Sequence, residues 1–418
     1  MYMRVLMTLL FVFFLVGGVY GAQREWTVLV YAVTDSFMAD CFAADMKEME
    51  AVGSSKQLEI LVQLDKNDYH AKRYRVEKGY TRTLASLGQI PCGEAKTLVD
   101  FVKWGVTRAP SKRVMLILYG CVGHLGYGAP SRPFRSFLGT QSQALGNSFS
   151  LQRDMAKLGR DFSLGRENGA RYFGIRHLGF ALNNISKFLG RPIDIVGLDD
   201  SCNGTVEKLF EYRHYVSHWI SSVGFIPSDD WPYEEVLSLL AVEPLMSNGE
   251  FCRRVVDHYA SAYKDYCNLP YGFGATLTAY DLRQLEELFS ALQLMAERLR
   301  LVCKKRPARL KILALRKKVL NFLNSDVLDL KQFVGGLQKL QLGDEELHLF
   351  CQRTLGLIKA TQIAHWADGR HYKEACGTAV TVSEWMGGYD RKKYRLLKWS
   401  KYSRWNKFLD LLAKEFCT

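Results

Sequence analysis

The chain has 418 residues, is 48% hydrophobic and 24% charged, and carries a formal net charge of +13. That length supports one large α/β domain or two smaller ones, and no segment is biased enough in composition to be disordered. The positive charge thickens at Arg298 to Lys318 and Arg391 to Lys407, where it alternates with leucine, tyrosine and tryptophan. This is the pattern of amphipathic helices with solvated basic faces, so no nucleic-acid surface is expected, although an anionic envelope surface would suit it.

The amino terminus reads as a targeting segment. Arg4 precedes an apolar run from Val5 to Val16, and Gly17, Gly18 and the small pair Gly21-Ala22 follow. This is the layout of a secretory signal peptide over residues 1–21, with a periplasmic or extracellular product. An uncleaved anchor is the rival reading, on a stretch barely long enough to span.

From Trp26 strands and helices alternate. WTVLVYA is a short run suited to a buried strand, and Ala39, Phe42, Ala43, Met46 and Met49 then fall on one helical face. LEILVQL from Leu58 predicts a second buried strand, RYRVEKG from Arg73 an edge strand, and Thr97 to Trp104 a helix. VMLILYG from Val114 is the next strand and ends in the glycine-rich turn CVGHLGYG. Residues 129–170 are polar and rich in Gly, Ser and Arg, the composition of a long functional loop or processed segment.

Tyr172 to Leu189 predicts a helix, IDIVGLD from Ile193 a strand, Thr205 to Tyr215 a helix and HWISSVG from His218 a strand. Helices over Trp231–Leu240 and Gly249–Tyr263 lead to the strand ATLTAYD from Ala275 and a long amphipathic helix beginning at Leu282. Residues 300–418 read as mostly helical, with one strand-like stretch from Gly377 to Trp385. Repeated alternation of this kind gives a mostly parallel sheet with helices on both faces and helical additions at the carboxyl terminus. In such sheets chemistry lies at the carboxyl ends of strands. Two strand ends carry reactive side chains: LILYGCVGH, with Cys121 and His124, and VGLDDSCNG, with Ser201 and Cys202. The ten cysteines show neither CxxC pairs nor zinc-type spacing, so most are expected as small buried apolar residues.

The order of these elements resembles the clostripain family of cysteine peptidases, of the caspase-like clan, from about Trp26 to Phe408. WTVLVYAVTDSF with KEMEAVGSS is similar to its first strand and helix, and LVQLD and TLVDFVKW to its next elements. FIPSDDWPYEEVL is similar to its segment after the nucleophile loop, ATLTAYDLRQLEEL to a later strand and helix, and WSKYSRWNKFLDLL to its closing helix. The resemblance implies a caspase-like fold in a single peptidase domain over residues 22–418. It also implies a catalytic histidine after one strand and a catalytic cysteine in an Asp-Ala-Cys loop after the next.

The match departs from that pattern at both places. Cys121 stands where the histidine belongs and Ser201 where the cysteine belongs. A serine without a facing base is a poor nucleophile, and a thiol is no proton shuttle near neutral pH. The chain is therefore expected to be a homologue without peptidase activity. His124 and Cys202, close by, offer an alternative dyad if both loops are reshaped, and an oxidising compartment would also allow Cys121 and Cys202 to pair. The family's pocket for arginine or lysine maps onto Asp199 and Asp229, implying a partner with exposed basic side chains. Asp230, ahead of Trp231-Pro232, is read as a helix cap. Calcium is implied by the resemblance alone, and no acidic cluster in the sequence is dense enough to place the ion.

Overall fold

A computed structural model describes residues 23–34, 36–66, 70–120, 173–227, 229–267, 274–322, 326–382 and 391–416. The candidate signal segment, the loop over residues 129–170, and both Cys121 and His124 lie outside the described residues.

The centre is a sheet of nine strands. β1 (Arg24–Val33) pairs in parallel with β2 (Leu58–Asp65) on one side and β5 (Ser111–Tyr119) on the other. β6 (Ile193–Asp199) and β7 (Val216–Ser221) continue the parallel run beyond β5. Both flanks are antiparallel. β3 (Ala71–Glu77) and β4 (Tyr80–Gly88) extend from β2, and β8 (Ala275–Asp281) and β11 (Gln362–Asp368) extend from β7. The order is β11-β8-β7-β6-β5-β1-β2-β3-β4. Chain direction across the sheet reverses at β1, so the switch point of this mixed α/β fold lies between β1 and β5, with β6 alongside.

The parallel strands read as unbroken apolar runs because both faces are covered. Every residue of β2 is buried, and so are Val114 to Tyr119 of β5. One face carries α1 (Ser36–Val52), α5 (Tyr233–Val242) and α6 (Asn248–Cys267), whose Phe42, Met49, Val236 and Phe251 join Val28, Val30 and Ile117. The other carries α2 (Ala95–Arg108), α3 (Ile175–Leu189), α4 (Val206–Tyr212) and α7 (Glu286–Val302), around Leu29, Leu116 and Val196.

The two edges depart from the expectations above. β3 is not the edge, because β4 covers it, and β11 lies within a region expected to be helical. The polar, largely half-buried sequences of β4 and β11 explain why neither reads as a strand: β11 is partly exposed at every position.

The carboxyl-terminal part is α8 (Arg306–Arg316), α9 (Leu330–Lys339), α10 (Glu345–Ala360) and three short helices, α11 (Arg391–Arg395), α12 (Lys398–Ser403) and α13 (Trp405–Leu412). Trp399 and Trp405 are fully buried, and Trp399 meets Phe210 edge-on at 5.4 Å, so these helices share the core around α4. Their arginines are not simply a solvated basic face. Arg298 pairs with Asp344 at 2.6 Å, Arg306 and Arg309 pair with Glu415, and Arg316 is buried against the Val382 carbonyl and Asp326. A small sheet of β9 (Asn321–Phe322), β10 (Val327–Asp329) and β12 (Ala379–Thr381) completes the fold.

Candidate active site

The loop between β6 and α4 sits at the carboxyl end of the sheet and is held from behind. The Cys202 amide donates to the Gly224 carbonyl at 3.0 Å, and the Asn203 and Gly204 amides donate to the Ser222 carbonyl at 2.7 and 3.1 Å. Three successive N–H groups of the loop are thus consumed by the strand-end segment after β7 and are not free to face an oxyanion. The Asn203 side-chain amide closes the loop on itself, donating to the carbonyls of Asp200 and Ser201. Gly204 has to be glycine. An added Cβ would lie 2.9 Å from the Gly377 carbonyl oxygen, where β12 comes in beside the loop.

Under this loop lies a fully buried lysine. Lys208, in the first turn of α4, donates its ammonium group to Asn203 Oδ1 and to the Cys202 carbonyl. Burial pulls its pKa down to about 8, against the charge of Asp200, which raises it. Thr205 caps the helix by accepting from the Lys208 amide at 3.4 Å.

Ser201 and Cys202 face different surroundings. The Ser201 hydroxyl accepts from the Ile226 amide at 3.0 Å, which ties it to the segment before α5. Cys202 has left-handed backbone geometry, φ 59°, and its thiol points into a small apolar cluster with Val223, Phe322, Val327 and Tyr372. Sγ lies 3.6 Å from the Gly224 carbonyl. Burial raises the thiol well above its ordinary value, and the nearby Lys208 charge only partly opposes this. Among the described residues no histidine is hydrogen-bonded to either side chain. His365 is engaged by Thr278 and the Ala375 carbonyl, and His218 by the Asp194 carbonyl. Cys121 and His124 lie outside the described residues, so the pairing of either with this loop has no geometry here.

Beside the loop the structure gathers carboxylates. Asp199, the last residue of β6, is buried, and its Oδ2 accepts from the Tyr233 hydroxyl at 2.9 Å and the Trp231 amide at 3.3 Å. Asp230, expected as a helix cap, instead turns inward from a left-handed backbone, φ 54°, and accepts from the Tyr119 hydroxyl at 2.7 Å. The cap role at α5 falls to Glu48 of α1, which accepts from the Tyr233 amide at 2.8 Å. Asp45, also on α1, is the third buried acid. Asp229 is exposed one residue before Asp230, and its charge reaches both Asp45 and Asp230.

Desolvation first, then neighbouring charge, drives these carboxyls upward: Asp199 to about 7, with Asp200 and Glu48 beside it, Asp45 to about 9, and Asp230 well above the carboxylate range, both beside Asp199. Asp199 is also favoured in its charged form by the Tyr233 and Trp231 bonds, which is why it rises less than Asp45. Asp199 and Asp229, singled out in the sequence, lie at this cluster, whereas Asp230 was read there only as a cap and Asp45 was not singled out. A signal for Asp45 was present, since it falls among Phe42, Met46 and Met49 on the inward stripe of α1, where a carboxyl is out of place. Among the described residues no three His, Cys, Asp or Glu side chains are placed to hold a metal ion.

A family model described as the clostripain family matches residues 154–411, more than half of the sequence. The chain belongs to the clostripain family. Clostripain-family structures of the same fold span nearly all of it. A secreted C11 cysteine protease from Bacteroides thetaiotaomicron, solved with an irreversible peptide inhibitor, is 17% identical with a TM-score of 0.62, over 91% of this chain and 99% of that one. An inactive zymogen C11 protease from Parabacteroides distasonis is 15% identical with a TM-score of 0.62, over 91% and 98%. The B. thetaiotaomicron protease iotapain is 14% identical with a TM-score of 0.63, over 91% and 99%. No curated protein sequence matches the chain. As a clostripain homologue the chain shares the caspase-like mixed α/β fold of these proteases.

Proposed function

We propose that this clostripain homologue is exported, has no peptidase activity, and binds arginine or lysine side chains of peptides in the acidic pocket beside the β6–α4 loop. The observation that carries the reading is the state of that loop. Ser201 occupies the position of the family's cysteine by resemblance, and its hydroxyl is tied to the Ile226 amide. The neighbouring Cys202 thiol is buried and held in the protonated form, so it offers neither the exposure nor the thiolate that a nucleophile needs. The two aspartates that the resemblance assigns to a basic-side-chain pocket, by contrast, are both present beside the loop. Asp199 keeps one oxygen without a partner, and Asp229 supplies charge at the surface. Export rests on the amino-terminal segment and agrees with the secreted relative.

The purified mature protein is expected to leave peptide amides of arginine and lysine uncleaved under reducing conditions, with and without calcium. It is expected to bind arginine-containing peptides weakly, with affinity falling as salt rises. Turnover that disappears in Cys202→Ala would overturn the inactive reading in favour of an active arginine- or lysine-specific peptidase using His124 and Cys202. Unchanged affinity after replacing Asp199 and Asp229 together with asparagine would overturn the pocket.

A further inference from the structure

The pocket holds more acid than its two expected aspartates, and the surplus is buried. Asp45 is 3% exposed and Asp199 2% exposed, yet Oδ2 of the first and Oδ1 of the second have no hydrogen-bond partner. The groups around them come from five elements. Cys41 and Glu48 approach from α1, Tyr119 from β5, Asp200 from the loop after β6, Asp229, Asp230 and Tyr233 from the start of α5, and Tyr263 from α6. All are carboxyls or phenols except the Cys41 thiol, and no cation is among these described groups. Tyr119 and Tyr233 each give one hydroxyl to the cluster, which leaves the two orphaned oxygens unserved.

Buried orphan acceptors cost free energy unless something fills them. A metal ion is a poor occupant, because it needs several oxygens converging on one point, and the described carboxyls do not converge. A guanidinium fits better. It is planar, keeps its charge, and spreads five N–H donors toward acceptors on different sides.

We propose that Asp45 is a third cation-binding carboxylate of this pocket, and that an entering guanidinium displaces a proton from the Asp45–Asp199–Asp230 cluster. The proposal rests on the reading of the pocket as a basic-side-chain site. One carboxyl O–H bond breaks and its proton leaves to solvent. The guanidinium stays protonated, and the vacated carboxylate accepts its N–H groups, so the cluster exchanges one positive charge for another. Binding therefore strengthens as pH rises across the range in which the free pocket still carries its protons. A pocket of exposed carboxylates would instead be fully ionised above about pH 5 and flat beyond it.

The probe is a short acetylated peptide ending in arginine amide, titrated calorimetrically into the mature protein. Running each titration in two buffers of different ionisation enthalpy gives the protons released per peptide. The wild-type protein is expected to release between about half a proton and one proton near pH 7, with affinity rising up to about tenfold per pH unit from pH 6 to 8. Asp45→Asn should lose at least half of that release and most of the pH slope. The wild-type titration needs no variant to fold, and Asp45→Ser provides a second check on the assignment to Asp45. Binding with no proton release overturns the inference while leaving the basic-side-chain reading in place. Release that is unchanged in both Asp45 variants overturns the role of Asp45. No binding at any pH from 6 to 9 overturns the basic-side-chain reading itself, and the inference with it.

Discussion

Replacing Asp45 by asparagine should make the protein more stable, and increasingly so as pH rises. In the folded chain burial and the Asp199 charge hold the Asp45 carboxyl up at about 9. In the unfolded chain it titrates at about 3.9. Between these values the folded state keeps a proton that the unfolded state gives up. Stability contributed by this group is therefore fully present below about pH 4 and declines as pH climbs toward 9. The slope for one such proton is about 1.4 kcal/mol per pH unit, or about 3 kcal/mol between pH 5 and pH 7. Asp199, raised to about 7, adds to the decline in the same direction. Asparagine has nearly the same shape and no proton to lose, and it removes a like charge from beside Asp199. The advantage of Asp45→Asn over wild type should therefore grow by about 3 kcal/mol from pH 5 to pH 7. Equilibrium unfolding in urea, followed by tryptophan fluorescence, would measure it, since Trp231 is fully buried next to the cluster. Guanidinium salts must be avoided, because on the proposed reading the denaturant would itself be a ligand of the pocket. An advantage that does not change with pH, or a variant less stable at pH 8, would refute the reasoning.

The loop makes two further expectations. Cys202 should react with iodoacetamide at neutral pH no faster than the other buried thiols, and only on unfolding. Rapid alkylation of Cys202 in the native protein would contradict its burial and its raised pKa. Lys208→Met should cost about 2–4 kcal/mol, because Asn203 Oδ1 and the Cys202 carbonyl lose their donor while methionine refills the volume. It should also open residues 200–204 to limited proteolysis, and an unchanged urea midpoint would show that the lysine is not what holds the loop.

Much of the fold was legible as local pattern. β1, β2, β5, β6, β7 and β8 were each marked by short apolar runs, because strands covered on both faces leave little room for polar side chains. Asp199 was legible for the same reason: a carboxylate that ends such a run can only lie at the strand's carboxyl end. β4 and β11 were not, since an edge strand may be polar without exposing a core. Where the Cys202 side chain goes was not legible. It stands one residue from Ser201, and a single left-handed residue sends its thiol behind the loop toward Gly224.

By itself, then, the sequence determined which segments become buried strands, where two of them end, and that Ser201 and Cys202 follow one of those ends. Each follows from the side-chain pattern of a few consecutive residues. Only the tertiary structure decided that the buried carboxyls Asp45, Asp199 and Asp230 come together and that the Cys202 thiol packs among Val223, Phe322, Val327 and Tyr372. Asp45 reaches the cluster from α1 because α1 and α5 cover the same face of a sheet whose order places β5 between β1 and β6. That proximity joins residues more than 150 positions apart in the chain, and it is set by strand order and helix packing, which no local pattern encodes.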